Sequence, residues 1–109
     1  MGTYCGAIRT AVKTIRTNVP DAQVVLCTPN FVAVGEGGTE PHGAMENVLS
    51  DYVDAVIALS QELGTDVLDN FHELGITLEN NGDYLADKIH PDYGCRYLMG
   101  KRLCMLIRE

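Results

Sequence analysis

Three segments of the chain carry apolar residues at the spacing of an α-helix. The first covers residues 4–19, the second runs from about residue 44 to residue 63, and the third starts at Pro91. Gly64 gives the second helix a natural C-terminal stop, and proline suits the first turn of the third, where its missing N–H costs nothing. The third helix has a predicted buried stripe of Cys95, Met99, Leu103 and Leu106.

Two short apolar runs, residues 23–28 and 65–69, separate these helices and show no alternation. Such runs are typical of parallel strands that are covered on both faces. The predicted element order is α-β-α-β-α, with a helical crossover between the two parallel strands. Two parallel strands cannot bury their own faces and edges, so we expect residues 1–109 to form a single partial domain of a larger α/β sheet.

Composition narrows the possible functions. The chain has 109 residues, of which 46% are hydrophobic and 21% charged, as in ordinary globular domains. A net charge of −7 argues against nucleic-acid binding, which needs a basic face. No apolar run approaches the ~18 residues of a membrane span. The N-terminus lacks the features of a signal peptide, so the expected location is cytoplasmic if the chain is complete.

The four cysteines, Cys5, Cys27, Cys95 and Cys104, include no CxxC pair that would indicate zinc. Cys27 falls in a predicted strand and Cys104 in a predicted helix, where cysteine commonly acts as a small hydrophobic residue. We therefore predict reduced, buried thiols rather than disulfides.

The longest predicted loop covers residues 29–43 and contains several glycines. Loops of this length in a compact domain are often functional, and binding specificity commonly resides in loops. We expect substrate choice to be determined here.

The segment with the clearest chemical potential is Asp87-Lys88-Ile89-His90-Pro91. An Asp three residues before a His, on a turn stiffened by proline, can place its carboxylate on the imidazole Nδ1. That contact fixes the tautomer and leaves Nε2 free to take a proton from a nucleophile. The same spacing also occurs as a plain loop carboxylate beside a solvent-exposed His, and Asp92 could be an ordinary helix cap.

This segment resembles the last conserved block of SGNH (GDSL-type) ester hydrolases, Asp-x-x-His-Pro at the start of the closing helix. Gly94 stands one position earlier than in the family's pattern. Residues 97–103 look like the family's closing helix, and residues 19–29 are similar to a strand that precedes a substrate-side loop. The resemblance covers residues 4–107.

The resemblance implies a three-layer flavodoxin-like fold, here incomplete, and hydrolysis of a small-molecule, carbohydrate or lipid acyl ester without a cofactor. It assigns Asp87 to orient the imidazole and His90 to act as general base. The family's Gly-Asp-Ser and Gly-x-Asn-Asp blocks are missing from this sequence. Its only serines, Ser50 and Ser60, fall inside the second predicted helix. We therefore expect the chain alone to be inactive and to associate with an upstream half or with itself.

Two other interpretations remain. The chain could be a non-catalytic remnant or interaction module that pairs through its open sheet edge. A metal site is less well supported, because the candidate ligands show neither HExxH order nor His residues four apart. We expect a solvated His42, a His72 at the edge of the sheet and an inert Cys95 thiol. The candidate ligands are His42, His72, His90, Glu40, Glu73 and Asp87.

Overall fold

The computed structural model describes residues 1–41 and 46–108. Within them the fold is mixed α/β, and the predicted order of helices and strands is confirmed, with two additional short helical turns. The elements are α1 (Gly2–Asn18), β1 (Val25–Cys27), α2 (Gly35–Gly38), α3 (Leu49–Leu63), β2 (Asp66–Leu68), a 3₁₀ turn (Asn81–Asp83) and α4 (Tyr93–Leu106).

The two strands pair in parallel, as predicted, with Leu26 opposite Val67 at the centre of the register. Backbone hydrogen bonds continue one residue past each end, from Asp66 N to Val24 O and from Thr28 N to Leu68 O. Across residues 1–41 and 46–108, each strand has a single neighbour. One edge of each strand is therefore left without a backbone partner in the described part of the chain.

Helices α1 and α3 pack together beside the sheet. Their contact buries Val12 of α1, and Val53, Val56 and Leu59 of α3 are buried as well. At the rim, the Arg9 guanidinium forms a two-pronged ion pair with the Glu62 carboxylate, at 2.7 and 2.9 Å. This ion pair helps to orient α1 against α3 but stabilises the fold little, because both side chains are half-exposed.

The ends of α3 differ in how well the sequence predicted them. Gly64 closes the helix in the left-handed conformation, with φ of 65°, as its sequence position indicated. The start is later than predicted, at Leu49, because the Asp51 carboxylate accepts a hydrogen bond from Val48 N at 2.8 Å and fixes the N-cap there. Residues 46–48 are not helical, and residues 44 and 45 lie outside the described residues.

A second buried cluster joins the irregular segment after β2 to α4. It is made of Leu74, Ile76, Leu85 and Cys95. Of the predicted stripe on α4, Cys95 is fully buried and the other three residues are partly buried. The opposite side of the helix exposes Tyr93, Tyr97 and Met105, so α4 has apolar side chains on two faces.

The start of α4 corrects the expectation that Pro91 opens the helix. Asp92 is the N-cap, and its carboxylate accepts a hydrogen bond from Cys95 N at 2.8 Å. Pro91 lies before the cap in an extended bridge with Leu85. The alternative that Asp92 is a helix cap is thus correct. An acceptor at this position stabilises a helix start by ~1 kcal/mol.

The four cysteines are free, but the prediction that they are buried holds fully for Cys95 alone, which is 1% exposed. Cys5 is partly buried, and Cys27 and Cys104 are exposed. Cys27 ends a strand whose outer edge has no partner in the described chain, and Cys104 lies on α4 beside the exposed Met105. No helix in the described ranges has the length and apolar character needed to cross a membrane.

Candidate functional site

The turn of residues 87–90 brings Asp87 and His90 into direct contact. Asp87 Oδ2 lies 2.6 Å from His90 Nδ1, as expected from their spacing. The other carboxylate oxygen, Oδ1, accepts from the backbone N–H groups of Ile89 at 3.1 Å and His90 at 2.7 Å. The turn is closed by a hydrogen bond from Ala86 N to His90 O. One carboxylate therefore holds both the backbone and the imidazole ring.

These contacts lower the pKa of Asp87 to about 2. The backbone N–H of His90 is the largest cause, followed by the His90 ring. An ionised carboxylate at Nδ1 selects the tautomer with the proton on Nδ1 and leaves Nε2 unprotonated in the neutral ring. The His90 side chain is 75% exposed, so the ring is open to solvent. The pair can accept a proton from a group placed at Nε2.

The turn lies against the loop that follows β1. Ala33 N donates to Lys88 O at 2.8 Å, and the Asn30 side-chain amide donates to Ile89 O at 3.0 Å. That loop leaves the carboxyl end of β1. The Asp87–His90 pair is thus placed beyond the carboxyl ends of the parallel strands, where open α/β sheets bind their ligands.

A second Asp-x-x-His turn, which sequence reasoning missed, follows the other strand. Asp69 comes directly after β2, and its Oδ2 lies 2.8 Å from His72 Nδ1. Its Oδ1 accepts from Phe71 N at 3.1 Å and His72 N at 2.9 Å. The signal was present in the sequence, since Asp69-Asn70-Phe71-His72 repeats the spacing of the later block.

Asp69 differs from Asp87 in burial. Its side chain is 10% exposed and also contacts the hydroxyl of buried Thr28 at 3.3 Å. Burial raises the pKa of Asp69, but hydrogen bonds from His72 and Phe71 outweigh it and leave the pKa below its usual value. His72 itself is about half-exposed. This turn holds the ends of both strands together.

A cavity of about 400 Å³ lies beside the Asp87–His90 turn. Its walls come from the loop after β1 and the start of α3, so the predicted functional loop does border the site. Ile89, the residue before His90, contributes to the same wall. The lining is mainly apolar and consists of Val32, Val34, Gly35, Gly38, Glu40, Pro41, Asn47, Val48, Leu49, Tyr52 and Ile89.

Helix α2 forms part of this wall and is an unusual turn. Gly35, Glu36, Gly37 and Gly38 all have positive φ, from 49° to 87°. Three of the four are glycine, which adopts this region without a Cβ penalty. A Cβ on Gly38 would lie 3.0 Å from the Leu49 side chain, so the loop approaches α3 closely at this point.

The serines offer no nucleophile in this region. Ser60 is buried in α3, and its hydroxyl donates to Ile57 O at 2.7 Å. Ser50 lies in the first turn of the same helix. Cys95 is also unsuited, because burial raises the pKa of its thiol.

The potential metal ligands do not assemble. In the part of the chain that the structure describes, there is no group of three or more His, Cys, Asp or Glu side chains placed to hold an ion. His42 lies outside the described residues.

Several solved structures share this fold. A protein from Lactobacillus plantarum is 19% identical, with a TM-score of 0.77 over 94% of this chain and 51% of its own. The esterase domain of the ORF1 protein from the zebrafish ZfL2-1 retrotransposon is 16% identical, with a TM-score of 0.68 over 93% of this chain and 55% of its own. No protein-family model and no curated protein sequence matches the chain.

A salicylyl-acyltransferase from a tetracycline biosynthetic pathway is also similar, at 16% identity, with a TM-score of 0.64 over 92% of this chain and 30% of its own. The chain thus spans about half the length, or less, of the solved structures that it matches. At these identities the likeness establishes the fold alone.

Proposed function

We propose that this chain is the C-terminal part of an SGNH-type serine ester hydrolase and supplies its Asp–His pair. The observation that carries the proposal is the 2.6 Å contact between Asp87 Oδ2 and the Nδ1 of the exposed His90, beyond the carboxyl ends of the strands. A contact at Nδ1 leaves Nε2 available to a nucleophile. Two structural neighbours are an esterase domain and an acyltransferase, which supports acyl chemistry.

The proposed reaction divides the work between this chain and a serine that its sequence does not contain. The serine hydroxyl attacks the ester carbonyl, and His90 Nε2 takes the hydroxyl proton. Asp87 stabilises the resulting imidazolium through Nδ1. The same proton then passes to the leaving alcohol, and water releases the acyl group by a second such cycle. The proposal requires no metal or cofactor.

The cavity beside Ile89 supports an ester with an apolar part. Its lining is mainly aliphatic, with Glu40 and Asn47 as polar members. Its volume is at the lower end of the usual range for small-molecule sites. We assign it to the apolar portion of the substrate, since Ile89 adjoins His90 in the chain and links the cavity wall to the proton acceptor.

The test compares the chain alone with a protein that also contains an upstream Gly-Asp-Ser segment. The coding sequence before Met1 should encode such a segment if the proposal is correct. We expect no hydrolysis of short acyl nitrophenyl esters by residues 1–109. In the longer protein, His90→Ala should lower kcat by roughly 10⁴-fold, because the nucleophile loses its base.

His72→Ala is the matched control, since His72 has the same Asp contact in the other turn. It should leave kcat within a few-fold of the unsubstituted protein. Equal losses in the two variants would contradict the assignment of His90. Turnover by residues 1–109 that disappears in Ser60→Ala would contradict the upstream nucleophile.

The second candidate function is an interaction module without catalysis. It is favoured by the exposed apolar side of α4, where Tyr93 is 77% and Met105 83% exposed, and by the unpartnered strand edges within the described ranges. Such surfaces mark contact sites.

Under either function we expect residues 1–109 to self-associate, which light scattering at low micromolar concentration would measure. A monodisperse 11.9 kDa species with cooperative unfolding would contradict this expectation.

A further inference from the structure

We propose that Asn30 is a positioning residue that holds the Asp87–His90 turn in place from the neighbouring loop. The meaning of this role for catalysis rests on the proposed function, but the structural role does not. Asn30 is not part of the Asp-x-x-His block, and its side-chain amide donates to backbone carbonyls and not to the imidazole. Its effect is exerted through the backbone of the turn.

The turn of residues 87–90 makes two kinds of contact. Contacts within the turn run from the Asp87 carboxylate to Ile89 N, His90 N and the His90 ring. They fix the shape of the turn, but they do not fix its place relative to the sheet. Placement depends on bonds from other segments. Among the described residues, Asn30 is the one side chain from another segment that hydrogen-bonds to the turn's backbone.

The Asn30 amide is itself oriented. Its Nδ2 donates to Ile89 O at 3.0 Å and to Phe31 O at 2.8 Å, so both N–H bonds of the amide are used. The backbone of the same loop adds a parallel bond from Ala33 N to Lys88 O at 2.8 Å. Two consecutive carbonyls of the turn are therefore held by one loop.

That loop is anchored to the sheet two residues before Asn30. Thr28 N donates to Leu68 O, and the Thr28 hydroxyl contacts Asp69 Oδ1 at 3.3 Å and accepts from Phe71 N at 3.1 Å. Thr28 is 4% exposed. Asn30 thus connects a buried anchor between the strand ends to the exposed Asp87–His90 turn.

The turn also needs such support. Lys88 has a φ of 71°, a left-handed conformation that is unfavourable for a residue with a Cβ. A conformation of this kind persists when the surroundings hold it. The Ala33 bond is made to Lys88 O, at the strained residue. The Asn30 bond is made to Ile89 O, directly after it. Removal of the Asn30 bond should therefore let the turn relax and loosen the Asp87–His90 contact.

The experiment uses nuclear magnetic resonance on residues 1–109 and requires no activity. The readouts are the imidazole ¹⁵N shifts of His90 in its neutral form and the titration of the Asp87 carboxyl carbon. In the unsubstituted chain we expect the Nδ1–H tautomer. In Asn30→Ala we expect a mixture with the Nε2–H tautomer, and a rise of about one unit in the Asp87 pKa.

Asn81→Ala is the matched control, because the Asn81 amide also donates to a backbone carbonyl, Leu78 O at 2.8 Å, but not to the turn. It should change neither readout. Asn30→Asp keeps the size of the side chain and removes its amide donors. It should reproduce the Asn30→Ala result at neutral pH, and it decides the matter if Asn30→Ala does not fold. Unchanged His90 tautomer and Asp87 pKa in a folded Asn30 variant would overturn the proposal.

The result of the magnetic resonance test on Asn30 does not depend on whether the proposed function is correct. A longer protein that lacks hydrolysis, with His90 still dependent on Asn30, would defeat the function and leave the positioning role intact. If the longer protein is active, Asn30→Ala should lower kcat by about ten-fold with little change in KM, because positioning losses act on the chemical step.

Discussion

The two Asp-x-x-His turns of this chain are alike in local geometry and opposite in surroundings. In each, one carboxylate oxygen accepts two backbone N–H groups and the other lies within 2.8 Å of the imidazole Nδ1. The Asp69 side chain is 10% exposed and touches Thr28 between the strands. The Asp87 side chain is 54% exposed, and its hydrogen bonds are made to Ile89 and His90 of its own turn.

The Asp-x-x-His spacing thus specifies the shape of the turn. The surroundings determine whether the turn is joined to the sheet or open to solvent. The Asp69 turn is attached to the sheet through Thr28, and its Phe71 ring lies 5.7 Å from Phe31. The Asp87 turn keeps its imidazole in solvent, and its Ile89 lines the cavity. We therefore interpret the first turn as structural, and our proposal assigns the chemistry to the second.

The largest expected effect is a difference in the free energy of unfolding between variants of Asp69 and variants of Asp87. Asp69→Ala would remove the side-chain acceptor of His72 N, one of the two acceptors of Phe71 N and the contact with the buried Thr28 hydroxyl, so we expect a loss of about 2 kcal/mol in the free energy of unfolding. Asp87→Ala should cost much less, because water can replace the exposed carboxylate. Urea denaturation at neutral pH measures both. Equal losses would remove the distinction between a structural and a chemical turn.

Part of this comparison was accessible from the sequence. Helical periodicity, the two apolar runs and Gly64 predicted α1, α3, α4 and the parallel pair, because each depends on local spacing. The Asp87–His90 contact was also predictable, since Pro91 and a three-residue spacing restrict the turn. The catalytic roles of both residues remain predictions.

The remainder depends on contacts that apolar periodicity does not encode. The spacing of the Asp69–His72 turn was present in the sequence, but its structural role depends on Thr28, which contacts Asp69 at the strand ends. Cys27 and Cys104 are exposed because no other part of the described chain covers them. The apolar residues around them in the sequence did not indicate this exposure. The start of α3 was misplaced, since apolar residues do not reveal that Asp51 caps Val48.

The second effect concerns the loss of stability in acid, to which Asp87 should contribute more than Asp69. The pKa of Asp87 is lowered to about 2, a larger shift than at Asp69, where burial opposes the hydrogen bonds. A lowered pKa in the folded state stabilises the fold above the unfolded value near 4. That stability is lost as the pH falls through the folded value. Solvent reduces the effect at the exposed Asp87.

We therefore expect Asp87→Asn to flatten the fall in unfolding midpoint between about pH 4 and pH 2 more than Asp69→Asn does. Denaturation curves at several pH values provide the measurement. Added salt should reduce the Asp87 contribution first, since exposed charges are screened more than buried ones. A steeper acid loss from Asp69 would show that its hydrogen bonds outweigh burial by more than the structure indicates.

The smallest effect concerns the second residue of each turn. Lys88 is exposed with a φ of 71°, whereas Asn70 is 4% exposed and is not among the residues with positive φ in the described chain. Lys88→Gly should stabilise the fold or leave it unchanged, by up to about 1 kcal/mol, because glycine removes the strain but adds freedom to the unfolded chain. Asn70→Gly should destabilise, since it opens a buried space and gains no relief. Thermal unfolding of the two variants provides the measurement, and a loss in Lys88→Gly as large as in Asn70→Gly would mean that the Asp87 turn is not strained.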